Sequence, residues 1–422
     1  MTLPIRHLPV LQNWDCHVCG NCCKEYPVTI TDEEKKRIEN QLWEKDAALA
    51  GMPLFKALGP FWNRRYQLNR RPDGSCVFLS EEGRCRIHER FGADAKPLPC
   101  RLYPFVLIPA GDHWRVGMRF ACPSAAANMG QRLTGHDAAL KEFAGQLESR
   151  ERIADRIRLK NLPPPSLQPG QFIEWSDLFR FVEAIANLLR DAQDRLERRL
   201  RKCLNLAKLC RQAKFDTVKG KRLEEFLSVI SSNLDAEVPV KPPSQPPSWM
   251  GGILFRQALA LFARKDSGPN RGLAAKGRLA LFAAACRFAR GRGRVPRLHD
   301  HLGHTTFAEI ETRHEPPTPE IEALLERYYL TKVGSLQFFG PGYFDVSLWE
   351  GLEALIVTFP AVRWLARAMP DVDRLEATAR AVSMVDDHFG FNLVLGTARQ
   401  RLSFRILARS GELEKLVAWY AR

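Results

Sequence analysis

From about residue 136 onward, apolar residues recur every three or four positions, the spacing that gives a helix one buried face. The pattern predicts helices over 136–160, a long basic pair over 176–214, and further helices over 223–234, 249–264, 273–290, 320–332, 348–368 and 372–388, with a final pair closing the chain. Residues 1–135 read differently. Short β-rich runs at 66–69, 105–108 and 114–120 are broken by the turn signals Asp73-Gly74 and Ala110-Gly111-Asp112. Thr31-Asp32-Glu33-Glu34 is a capping box and predicts a helix from Asp32 into the 42–49 region, with Ile38 and Leu42 on its packed face. Short helices are expected at 87–91 and 124–129.

Prolines punctuate this order. Pro163-Pro164-Pro165 with Pro169-Gly170 marks one boundary, and five prolines between 239 and 247 mark a linker. The expected fold class is α+β, mostly α. A small metal-bound module with β-hairpins (1–135) leads into a basic helical region (136–238), a Pro-rich linker (239–248) and a helical C-terminal domain (249–422).

Composition narrows the class. At 422 residues, 45% apolar and 26% charged, the chain has the make-up of a soluble globular protein of two or three domains. The N-terminal stretch has no continuous apolar run of the secretory kind. The apolar stretches 279–289 and 352–365 are cut by Arg287 and by Pro360 and Arg363, so neither spans a bilayer. A cytoplasmic location is expected, where clustered cysteines serve as metal ligands more than as disulfides. The net charge of +15 is uneven: residues 1–150 hold 21 Lys and Arg against 17 Asp and Glu, so most of the excess lies beyond them. An acidic protein or nucleic acid, if bound, is expected at the C-terminal part, through the runs 195–222 and 287–297. The first run also carries Leu200, Cys203, Leu204 and Ala207 at helical spacing, as expected of an amphipathic helix with a solvated basic face and core-facing Cys203 and Cys210. Cys286 is expected to be buried.

The strongest chemical signal is cysteine. Eight of the eleven fall between positions 16 and 122: Cys16, Cys19, Cys22, Cys23, Cys76, Cys85, Cys100 and Cys122. Thiolate is a soft ligand for zinc, iron and iron–sulfur clusters, and four thiolates fill one tetrahedral site. Cys16-x2-Cys19-x2-Cys22 has the triplet spacing of ferredoxin ligation, while adjacent Cys22-Cys23 suits the boundary of two centres. A hairpin turning at Ser80/Glu81 would bring Cys76 and Cys85 together. A turn centred on Gly111 sets residues whose numbers sum to 222 opposite one another, Cys100 and Cys122 among them. Buried free thiols and a purely structural zinc module are the competing readings. His17 and His88 lie close to the cysteines in sequence, and Arg101 and Tyr103 follow Cys100. His299-Asp300-His301-x2-His304 offers a weaker metal spacing, or simply a polar loop.

Taken together, Cys16-x2-Cys19-Gly20-x-Cys22-Cys23, Cys76-x-Phe-Leu, Gly83-x-Cys85-x-Ile-His88, Cys100-Arg101-x-Tyr103-Pro104 and Cys122-Pro123 resemble the CxxCxxCC cysteine-cluster proteins, the YkgJ-type zinc- or iron-chelating family. Cys85-Arg-Ile-His, Leu98-Pro-Cys100-Arg-x-Tyr-Pro and Cys122-Pro-x-Ala-Ala are similar to the flagellin lysine N-methylase branch. The resemblance implies a metal held by the eight cysteines, zinc or iron with a 4Fe-4S cluster included. In that branch it also implies S-adenosylmethionine and a lysine-bearing protein substrate. The chain has no glycine-rich strand–loop–helix motif and no CxxxCxxC triplet, so no cofactor-binding or catalytic residue is assigned. Two function classes stand: a metal-dependent enzyme of the protein-lysine N-methylase kind, and a zinc-stapled adaptor whose basic helices bind nucleic acid or an acidic protein.

Overall fold

The computed structural model describes residues 3–9, 11–149, 162–215, 217–265 and 277–422. Its N-terminal part is a set of short elements: β1 (Ile5–His7), α1 (Asn21–Glu25), β2 (Thr29–Ile30), α2 (Asp32–Glu39), β3 (Phe55–Leu58), β4 (Arg65–Leu68), α3 (Arg86–Phe91), α4 (Leu98–Leu102), β5 (Phe105–Ala110), β6 (His113–Met118) and α5 (Pro123–Ala126). β4 pairs antiparallel with both β2 and β3. The β5–β6 hairpin takes β1 as a parallel third strand.

The capping box at Thr31 and Glu34 is present, a cap of the kind that contributes about 1 kcal/mol. Helix α2 is shorter than expected. It stops at Asn40, and Leu42 turns left-handed and points into solvent while Trp43 takes the buried place beside Ile38. The chain thereby folds a small core of Ile30, Ile38, Trp43, Leu49, Leu68, Val77, Phe78 and Ile87.

The rest is helical: α6 (Asp137–Ser149), then the short ribbon β7 (Ser166–Gln168) and β8 (Gln171–Phe172), then α7 (Trp175–Arg190), α8 (Leu196–Gln212), α9 (Lys221–Glu237), α10 (Trp249–Ala263), α11 (Arg278–Arg290), α12 (Phe307–Thr312), α13 (Pro319–Gly334), α14 (Leu348–Arg367), α15 (Arg374–His388), α16 (Ala398–Arg409) and α17 (Glu412–Tyr420). The fold is α+β, mostly α, as expected. The parts of two expected helices at 150–160 and 273–276 lie outside the described residues. Among the described residues no helix is long and apolar enough to cross a membrane.

Every residue of α14 is buried, and α8, α10, α15, α16 and α17 pack around it. Its charges are matched from outside: Glu353 by Arg211, and Glu350 by Arg401 and Arg405. Tyr328, Tyr329, Phe338, Phe339 and Tyr343 are buried in this core.

Helix α8 corrects an expectation. Its basic residues do not form a solvated face: Arg198, Arg199, Arg201 and Lys202 are buried and paired with Asp194, Glu326, Glu197 and Asp235. Asp194 and Glu197 lie four residues before the arginines they pair with, while Glu326 and Asp235 arrive from other helices. Cys203 and Cys210 are buried there as expected, whereas Cys286 is only half-buried.

Candidate metal centre

The loop before α1 carries Cys16 and Cys19, both exposed. It is fastened behind by Trp14 N–H to Gln131 O at 2.9 Å and Asp15 N–H to Met129 O at 3.0 Å. Gly20 then adopts φ +66°, where its Cα lies against the turn at Gly83 and no side chain is needed. That turn-in starts α1, which presents Cys22 and Cys23. Cys76 N–H donates to Cys23 O at 2.8 Å, tying the next cysteine to the first group.

The 76–85 segment does form a hairpin, but in another register. Ser80 N–H donates to Arg84 O and Leu79 faces Cys85, so the turn centres on Glu82, while Cys76 faces Arg70. An earlier turn at 71–74 pairs Cys76 with Arg70, which takes Cys76 out of the hairpin that follows. Cys85 still comes close enough for its charge to act on the Cys76 thiol.

The second hairpin is displaced by one. Phe105 pairs with Met118 and Ala110 with His113, leaving Gly111 and Asp112 as a two-residue loop, so opposed numbers sum to 223. Cys100 and Cys122 lie beyond the strands. Cys100 sits within α4, and Cys122 precedes Pro123 at the start of α5. They meet by lining one cavity rather than by strand pairing.

That cavity, of about 290 Å³, is lined by Cys16, Cys19, Cys22, Cys100 and Cys122 together with His17, His88, Lys96, Arg101 and Tyr103. Cys76 and Cys85 lie behind it, packed with Cys100 against the small core. Among the described residues no group of three or more Cys, His, Asp or Glu side chains is already arranged around one metal position.

The thiols suit a cation. Burial pushes Cys76 up to about 11 and Cys100 well above the usual thiol range, with neighbouring cysteines adding to the effect. Donation of the Cys22 S–H to the Cys23 side chain, then burial, raises Cys22. Burial raises Cys122 too, against backbone N–H bonds from Ala125 and Ser124. Thiolates crowded in this way are stable only if a positive ion lies among them, and a bound metal deprotonates them outright.

The other candidates fall out plainly. His17 Nδ1 lies 2.9 Å from Asp15 O and 3.2 Å from Ser124 Oγ, on the cavity wall, and His88 lines the rim. Arg101, on the cavity wall with its side chain 10% exposed, is held by Asp94 and Glu142 at 2.8 Å each. Tyr103 packs on Tyr26, ring centroids 5.3 Å apart. His299 and His301 stack at 4.5 Å, and His304 does not join them as a ligand triad.

A charged frame that the sequence did not disclose holds Cys122 in place. Asp386 Oδ2 accepts Ala121 N–H at 3.1 Å, and its Oδ1 lies 2.5 Å from Lys332 Nζ, which also donates to Met118 O. Arg327 donates to Ala125 O and Ala126 O. Glu34, besides its capping role, accepts Leu98 N–H at 2.7 Å and so anchors the start of the Cys100 helix. The available signal was Asp386-Asp387 directly after Met384-Val385, two acids in an apolar helical run.

A second cavity of about 430 Å³ shares His17, Cys19, Asn21, Pro123 and Ser124 with the first. Its wall includes Lys265, whose Nζ lies 2.8 Å from Glu25 and 2.6 Å from Asp387, and Asp387 also meets Arg119 at 3.2 Å. Burial alone would raise the Asp387 carboxyl, but Lys265, His388 and Arg119 hold it below the usual range. His299, on the same wall, is pushed down to about 3 by burial and then by His301, and His7 elsewhere to about 4, chiefly by burial. Both imidazoles stay neutral in the folded chain while the unfolded chain takes up protons below pH 6.5. Stability is therefore present above pH 6.5 and lost as pH falls, by about 2 kcal/mol per histidine between pH 6.5 and 5. Denaturant midpoints across that range should fall, and His299→Gln should flatten part of the slope; an unchanged slope in the variant would refute the assignment.

Residues 15–124 match the family model CxxCxxCC, described as "Putative zinc- or iron-chelating domain". The match spans 110 of 422 residues and supports metal binding by this segment. No curated protein and no solved structure matches the chain.

Proposed function

We propose that Cys16, Cys19, Cys22, Cys23, Cys76, Cys85, Cys100 and Cys122 hold iron in thiolate ligation, as an iron–sulfur centre, and that this centre serves an enzyme. The observation that carries this reading is the cavity of about 290 Å³ lined by five of the thiols. A space of this size accommodates a multi-atom cluster. When bound, such a centre supplies one-electron chemistry. The chain's own residues supply the rest: Lys96 places positive charge near Cys22 and Cys100. The adjoining cavity of about 430 Å³ is within the ordinary range for a small-molecule site. The finer assignment, transfer of a methyl group from S-adenosylmethionine to lysine side chains of a protein, rests on the motif resemblance around Cys85, Cys100 and Cys122.

A zinc-stapled, non-enzymatic module is the second reading, favoured by one observation: Cys76, Cys85 and Cys100 pack on a core of only eight buried apolar residues. Colour and elemental analysis separate the two. Anaerobically purified protein should be brown with several irons per chain, and Cys22→Ser should bleach it. A colourless protein with stoichiometric zinc supports the staple instead. No labelled methyl on a lysine-bearing protein incubated with the reduced, iron-loaded chain and labelled S-adenosylmethionine would remove the finer assignment alone.

A further inference from the structure

We infer that the outward face of α11 and the loop that follows it dock on an anionic phospholipid surface, with Leu279 and Phe282 entering the interface and the surrounding arginines meeting the headgroup phosphates.

Helix α11 is packed on one side. Ala284 and Phe288 are its buried residues; the Phe288 ring lies 5.3 Å from Phe307 and 5.9 Å from Trp364, and its carbonyl oxygen accepts Arg256 Nε–H at 3.0 Å. On the opposite side Leu279, Phe282, Ala283 and Cys286 fall at i, i+3, i+4 and i+7, the spacing of a single stripe. Leu279 is 87% exposed and Phe282 70%, so this second apolar stripe is left open to water.

Arginines surround the stripe. Arg278 and Arg287 lie on its two flanks, Arg290 at its C-terminal end, and Arg292 and Arg294 on the loop beyond, all five exposed. Val295 N–H to Thr305 O at 2.9 Å and Phe307 N–H to Gly293 O at 3.0 Å hold that loop. No Asp or Glu occurs between positions 278 and 299, and among the described residues none of the five arginines forms an ion pair. In α8 the cations are neutralised within the fold; here the matching negative charge is left to a partner.

The apolar centre and the cationic rim together fix the kind of partner. A helix so arranged lies in the plane of a membrane interface, its apolar side chains among the acyl chains and its cations at anionic headgroups. Thirteen residues are too few to span a bilayer, so the helix lies on the surface. A nucleic acid would match the arginines but leave Leu279 and Phe282 in water, and a second copy would set like charges against one another.

The test uses the reduced, full-length chain and vesicles of phosphatidylcholine, either alone or with about one-third phosphatidylserine. Binding to the mixed vesicles should exceed binding to the neutral ones by about a hundred-fold and should fall with salt. Leu279→Gln/Phe282→Gln should weaken it by about ten-fold. Arg287→Gln/Arg290→Gln should weaken it by about twenty-five-fold, at about five-fold per arginine, and Arg287→Lys/Arg290→Lys should retain it. The mixed vesicles should also shield Arg292 and Arg294 of the wild-type chain from trypsin, a readout that needs no variant. Equal binding to both vesicle types, no binding to either, unshielded arginines, or binding that neither glutamine pair weakens overturns the inference. So does salt-sensitive binding to a single-stranded oligonucleotide without vesicle binding, which assigns the arginines to nucleic acid, or a dimer that Leu279→Gln/Phe282→Gln dissociates, which assigns the stripe to a second copy.

Discussion

Lys332→Met should destabilise the folded chain by about 3–5 kcal/mol, because it leaves the Asp386 carboxylate buried without its cation. Lys332 and Asp386 are 1% and 0% exposed in their side chains, so water cannot take over the lost interaction. Removing Asp386 instead should be about as damaging and should reach further. Its other oxygen accepts Ala121 N–H, and a buried donor left unbonded costs about 1–3 kcal/mol. Ala121 adjoins Cys122, so Asp386→Leu should also lower metal content under conditions where the protein remains folded. The double variant Lys332→Met/Asp386→Leu should recover much of the stability, since an apolar pair of similar volume often does as well as a buried ion pair. It should not recover the metal, since the Ala121 N–H is still unbonded. Denaturant unfolding measures the first effect and elemental analysis the second. Additive losses in the double variant would show that the pair does not act as a unit.

Removing the metal with a chelator under reducing conditions should loosen residues 20–100 selectively. Their core has eight buried apolar side chains, too few to hold so short a chain without a staple, and structural metal sites contribute on the order of 10 kcal/mol. The helices around α14 have their own core and should stay folded. Proteolytic cleavage within 20–100 should rise by roughly ten-fold for every 1.4 kcal/mol of local stability lost, with little change beyond residue 175. Re-addition of the metal should restore protection. Equal cleavage with and without metal would mean that the small core holds itself together and that the cysteines have another purpose.

What could be read along the chain was what short-range chemistry decides. The Thr31–Glu34 capping box needs only four consecutive residues, and it is present. Most helices from Trp175 to Tyr420 follow their apolar period because they lay one face on a shared core, while α14 is buried on every side. Counting residues around a turn found both hairpins but missed both registers. One extra loop residue at Asp112 moved the second, and the turn at 71–74 moved the first. The basic helix α8 misled for a related reason. Arg198 and Arg201 have acids four residues back in the sequence, but other carboxylates arrive from up to 127 residues away, as Glu326 does for Arg199, and packing then buries the whole run.

By itself the sequence determined that eight cysteines at metal-ligand spacings sit in a short-element module ahead of a helical body, because soft-ligand identity and helical period are properties of the residues. Which thiols share a cavity, which remain open to solvent and what clamps Cys122 were decided only by the tertiary structure. Lys332 and Asp386 are 54 positions apart, and their attraction has force only once packing has removed the water between them.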